Sequence, residues 1–78
     1  MNNYKAIVVE APVVQASLLD TPYEYIDIGF HNYGHVELGR KDGKALVQVF
    51  VDESSDKQSV PQSKISSYGV TVPEMAGG

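Results

Sequence analysis

The dipeptide Asp42-Gly43, set between two alternating runs, constrains this 78-residue chain more than any other feature. Both central residues of a type I′ turn need positive φ, and Asp-Gly is one of the few pairs that adopts it at low cost. The pair therefore closes a two-residue hairpin. On that reading Lys41 faces Lys44, Arg40 faces Ala45, Leu38 faces Val47 and Val36 faces Val49. Upstream, in Glu24–His31, Ile26, Ile28 and Phe30 alternate with Tyr25, Asp27 and Gly29. That is the period of a strand with one buried face. Asn32-Tyr33-Gly34 fits a three-residue hairpin loop, which pairs Phe30 with Val36 and Ile28 with Leu38. Both turns place Val36 and Leu38 on the face of Ile28, Phe30, Val47 and Val49. The expectation is a three-stranded antiparallel meander over residues 24–52, at the centre of a small all-β barrel or sandwich.

The flanks read as additions to that unit. Tyr4–Glu10 is rich in β-branched residues and forms a strand. Pro12 lacks a backbone donor, so this region is expected to be one strand bent or bulged at Ala11-Pro12, or two short edge strands. Thr21-Pro22 closes it, because the residue before proline is driven to extended geometry. The polar run Glu53–Ser67 reads either as a loop or as the lead into one short helix near residues 60–68. Ser59 is its candidate cap, Pro61 lies in its first turn and Gly69 falls just past its end. Gly69–Val72 reads as a last short strand stopped by Pro73, so a single domain spans 1–73 and residues 74–78 form a flexible tail.

A domain of this length buries only about 60% of its unfolded surface, so a staple or partner helps it. With no cysteine there is no disulfide, which raises the expectation of oligomerisation or docking. A net charge of −4 argues against a phosphate backbone as ligand; the only basic cluster is Arg40, Lys41 and Lys44. An acidic body favours a partner with a basic surface. No apolar run reaches the roughly 20 residues that cross a bilayer, and the first residues lack a basic leader region. A soluble cytoplasmic protein with no membrane or nucleic-acid partner is the expectation.

Signals for chemistry are sparse. His31 and His35 become a cross-strand pair on the hairpin reading, with Asp27 and Glu37 on the same face, which is a possible small metal site. Zinc wants three or four ligands, and cysteine is absent. Neither a GxGxxG nor a Walker A pattern occurs, and no serine stands in a Gly-x-Ser-x-Gly elbow. No catalytic residue or cofactor is expected. The terminal Gly77-Gly78 resembles the diglycine of ubiquitin-like and sulfur-carrier proteins, which implies C-terminal activation and conjugation. The β-grasp fold of such carriers needs a helix after its first hairpin, whereas Asp20–Gly34 reads as turn and strand.

What remains is surface. Five tyrosines and no tryptophan supply amphipathic contact area of the kind enriched at interfaces. On the meander's outer face fall Tyr25, His31, Tyr33, His35, Glu37 and Phe50, with Leu46 and Gln48. This face is too apolar for plain solvent. Either a flanking segment covers it or it meets another protein. The leading expectation is a non-catalytic protein-binding module, an inhibitor, adaptor or assembly component, acting through that acidic, tyrosine-bearing face or through an edge strand.

Overall fold

The computed structural model describes residues 3–69. Four strands, β1 (Tyr4–Leu18), β2 (Thr21–Ile26), β3 (His35–Lys41) and β4 (Lys44–Asp52), form one antiparallel sheet. A single short helix, α1 (Gln62–Ser66), follows. The spatial order is β2-β1-β4-β3. The fold is all-β with one short helix, as the sequence indicates, but the sheet stays open rather than closing into a barrel or stacking into a sandwich. Chain segments, not a second sheet, cover its two faces. The expected last strand from Gly69, the tail and Gly77-Gly78 reach beyond the described residues.

The Asp42-Gly43 hairpin forms as its chemistry dictates. Asp42 and Gly43 have φ of 53° and 79°, and Lys41 pairs with Lys44 and Arg40 with Ala45. The expected register then fails at Leu38. A bulge between Glu37 and Gly39 shifts the ladder by one residue, so Val36 meets Gln48 instead of Val49, and Glu37 meets Val47. Because side chains alternate with a period of two, the slip exchanges the faces of every residue before it. Val36 becomes half exposed, while His35 and Glu37 turn to the side of the valines.

The third strand of the expected meander pairs elsewhere. β2 lies beside β1, with Val14 opposite Tyr25 and Ala16 opposite Tyr23, and the connection between them is the two-residue turn Leu19-Asp20. Residues 27–34 leave the sheet and cross from one edge strand to the other. Ile26, Ile28 and Phe30 still pack on the core of Ile7, Ala11, Ala45, Val47, Val49 and Val51. Their alternation is real, but it records an extended strap lying on a core and not a paired strand. Asn32 fixes the strap's end locally: its side chain donates to the Phe30 carbonyl and accepts from the Gly34 N–H.

Pro12 does not break β1. Successive residues of a strand point their backbone groups to alternate sides. The Val13 N–H goes to Gly43 on the β4 side, whereas the Pro12 carbonyl accepts from Asp27 on the β2 side. The missing donor of Pro12 therefore faces Asp27, just past the end of β2, and the β1–β4 ladder loses nothing. A 15-residue strand passes through it, sharing residues 4–12 with β4 and 13–18 with β2.

The opposite face of the sheet carries Leu46, Gln48 and Phe50 of β4. Here α1 docks. Lys64 pairs with Glu10 at 2.7 Å and the Tyr68 hydroxyl donates to the other Glu10 oxygen, while Ile65 and Leu46 are both buried. Pro61 occupies the N-cap position and Gly69, at φ 72°, follows the helix end. Ser59, the expected cap, instead accepts the Val8 N–H at 3.0 Å, and Val60 donates to the Val8 carbonyl. These two bonds close the stretch of β1 that β2 does not reach.

Candidate functional site

The division of β1 between two partners leaves residues 13–26 as a two-stranded ribbon beyond the end of β4. This arm is the candidate site. Its sequence contains Asp20 and Glu24 and no lysine or arginine. One of its faces carries Val14, Ala16 and Leu18 of β1 opposite Tyr25, Tyr23 and Thr21 of β2. The rings of Tyr23 and Tyr25 stack with centroids 6.2 Å apart and planes 29° apart. Leu18 and Leu19 are 66% and 91% exposed, Tyr23 and Tyr25 46% and 45%.

The tip is conformationally costly. Leu19 (φ 50°) and Asp20 (φ 65°) occupy the two positive-φ positions of the turn. An aliphatic residue in left-handed geometry costs roughly 1–2 kcal/mol. Here it presents a leucine to solvent and gains no packing in return. Backbone cost and apolar exposure coincide at Leu19, and such coincidences concentrate at recognition sites.

The arm's other face is polar and braced. Gln15 donates to Glu24 at 3.1 Å, and Arg40 of β3 reaches Glu24 at 2.7 Å while its Nε and Nη2 engage both oxygens of Glu37. Hydrogen bonding to Arg40 holds both carboxyl groups below their usual range, and the two carboxylates raise the guanidinium in turn. A groove of about 460 Å³ opens between arm and hairpin tip, lined by Gln15, Glu24, Arg40 and Lys44 among others.

The residues singled out from sequence are not one face. Tyr25 lies on the arm. His31 and Tyr33 sit at the far end of the sheet, where Tyr33 packs on Tyr4 at 4.4 Å and His31 meets the Tyr33 ring edge-on at 5.1 Å. Phe50 is half-buried beside them, its backbone bonded to Tyr33 and Gly34. His35 and Glu37 are turned by the bulge to the opposite side, with Glu37 taken up by Arg40. The hairpin that would set His31 against His35 does not form. Among the described residues no three His, Asp or Glu side chains gather closely enough to hold a metal.

Leu18 and Leu19 lie outside the residues to which the sequence points, and Tyr23 enters there only as one of the five tyrosines. Val13–Leu19 reads as a plain strand closed at Thr21-Pro22, and Leu-Asp is a poor type I′ pair, so the local signals place the turn after its actual position at Leu19-Asp20. The one available signal was an apolar pair directly before Asp20-Thr21-Pro22. Among the described residues no helix is long and apolar enough to cross a membrane. No family model, curated protein or solved structure matches the chain.

Proposed function

We propose that the protein is a non-catalytic protein-binding module that engages its partner through the β1–β2 arm. The observation that carries this reading is the apolar tip and tyrosine face of residues 18–25, displayed on a ribbon outside the core. A two-stranded ribbon is marginal in water, and one bearing Leu18, Leu19, Tyr23 and Tyr25 in the open loses favourable burial until something covers them. Tyrosine pairs supply large contact area at low entropic cost. The arm has only acidic charges, and the whole chain carries −4, so a basic-rimmed apolar groove is the complementary surface.

The electrostatics agree with a binding role. Among the described residues, the groups whose titration is shifted move away from neutrality. Glu10, Glu24, Glu37 and Asp52 shift down through hydrogen bonding, and Tyr68 is pushed up to about 12 by its bond to Glu10. A general acid or base works best with its pKa drawn towards the operating pH. The perturbed groups here serve as structural clips.

The test is affinity capture from the native extract with the full chain, beside a Leu19→Ser/Tyr25→Ser double variant. The expected result is a protein retained by the first and lost by the second, at matched secondary structure and folding cooperativity. Equal retention by both would place the binding surface elsewhere.

A further inference from the structure

The arm has an edge as well as a face, and the two edges of this sheet are not equivalent. The outer edge of β3 is interrupted by the bulge at Leu38 and ends in Arg40 and Lys41, both of which discourage strand addition. β2 has no bulge and no basic residue, and its one edge-blunting feature, Pro22, lies near its start and leaves the outward N–H groups of Glu24 and Ile26 free of it. Its register fixes which backbone groups face outward. Asp27 donates to Pro12, so the pairs Val14–Tyr25 and Ala16–Tyr23 bond inward, and Pro22, Glu24 and Ile26 point their backbone groups away from β1. Among the described strands none lies beyond β2.

We infer that this edge pairs with the same edge of a second copy of the chain, antiparallel and centred on Glu24. The reading rests on the arm being the working surface, and it identifies what that surface first meets. A two-fold axis at Glu24 lets each Glu24 N–H donate to the other's carbonyl, and each Ile26 N–H donate to the other copy's Pro22 carbonyl. Pro22 has no N–H to offer, and on an edge its ring is tolerated where a central strand would reject it. The same register sets Tyr23 of each copy directly opposite Tyr25 of the other, on the face where those rings already stack. Cross-strand aromatic pairs of this kind stabilise sheets. On the other face the two Glu24 side chains come together, which would repel were they free. They are not free, because each is held by its own Arg40 and Gln15. The pairing converts two marginal ribbons into one four-stranded unit, which exceeds the three strands with an apolar face that independent stability needs. It also doubles the tyrosine face offered to any third protein.

The chain has no cysteine, so the register can be read chemically without background. In this arrangement Tyr23 and the other copy's Tyr25 form a non-hydrogen-bonded pair, whose close side chains suit a disulfide. Full-length Tyr23→Cys and Tyr25→Cys chains are mixed under mild oxidation, and each is oxidised alone. The expected result is rapid cross-linking in the mixture and at least about tenfold slower cross-linking of either chain alone. Light scattering on the unmodified chain, up to about 1 mM, should approach twice the 8.5 kDa chain mass. Glu24→Pro removes the outward donor without touching the β1 ladder and should remain a monomer; Glu24→Gln keeps the donor and should still dimerise. A single-chain mass at the highest concentration, equal cross-linking in all three samples, or a dimeric Glu24→Pro chain would overturn the proposal. Should the chain stay monomeric yet capture a partner through Leu19 and Tyr25, the inference fails and the binding function stands. A dimer that captures nothing has the reverse meaning.

Discussion

Glu24 and Arg40 sit on β2 and β3, the two outermost strands of a four-stranded sheet, yet Arg40 Nη1 lies 2.7 Å from Glu24 Oε1. The contact is possible because Glu24 stands past the end of β4 and Arg40, opposite Ala45 next to the hairpin tip, lies on the same face. Arg40 thus spans the groove and ties the arm to the body, with Glu37 steadying the same guanidinium. The bulge at Leu38 makes this steadying possible. Without it Glu37 would point to the opposite face from Arg40.

Arg40→Met should therefore loosen the arm more than the fold. Exposed ion pairs contribute little to global stability, so the melting temperature should barely move. Amide exchange at Ala16 and Tyr23, which bond across the ribbon, should accelerate relative to Val47 and Val49. High salt should reproduce part of the effect in the parent protein, since screening weakens the exposed pair. Uniform acceleration across all four sites would mean that Arg40 supports the core instead.

Leu19 offers a sharper separation of stability from function. Asparagine adopts positive φ far more readily than leucine. Leu19→Asn should raise stability by about 0.5–1 kcal/mol, seen as a higher denaturant midpoint with unchanged slope. On the proposed binding role, the same variant should capture a partner more weakly, because the tip loses its apolar side chain. Gly43→Val is the converse at the other turn: φ of 79° does not suit a β-branched residue, and stability should fall by about 1 kcal/mol or more.

Leu46 separates the two layers of the molecule. It is fully buried on the face that α1 covers, and the main cluster of valines lies on the other. Leu46→Ala should cost about 2–5 kcal/mol. In a chain whose total stability is roughly 4–12 kcal/mol, that is a large share. Chemical shifts of Ile65 and Tyr68 should move first as denaturant rises, before those of Val49. Simultaneous loss at both places would show that helix and sheet fold as one cooperative unit.

The Asp42-Gly43 hairpin, the strand nature of residues 4–18 and 44–52, the helix near Pro61 and the core role of Ile28 and Phe30 were all legible, because each follows from a local rule. The bulge at Leu38 has one signal, the isolated Gly39 inside the strand pattern, which the regular alternation around it outweighs, and the slip alone disperses His35 and Glu37 from the expected face. The arm was missed for a related reason. Its turn violates the residue preferences that would have revealed it, and Pro12 looked like a break when it marks a change of partner. Both failures lie where the chain departs from its own local propensities, which is where recognition surfaces tend to be found.

The clip of α1 onto Glu10 should give the protein a stability plateau with two edges. Lys64 foremost, then Tyr68, hold the Glu10 carboxyl below its ordinary 4.5. A carboxylate with a depressed folded value contributes fully above its unfolded value and loses that contribution as pH falls through the folded one. The hydrogen bond to Glu10 raises the Tyr68 phenol from 10.0 to about 12, so its contribution is complete below pH 10 and fades between there and about 12. The melting temperature should therefore decline on the acid side below about pH 4.5 and again in the alkaline window, with α1 coming away from the sheet at either extreme. Glu10→Gln removes the ionisable partner and should flatten the Glu10 part of the acid limb and return the tyrosine titration towards 10. If the variant kept both edges, followed by ultraviolet titration of the phenol and by thermal denaturation across pH, the clip would not be what anchors the helix to the sheet.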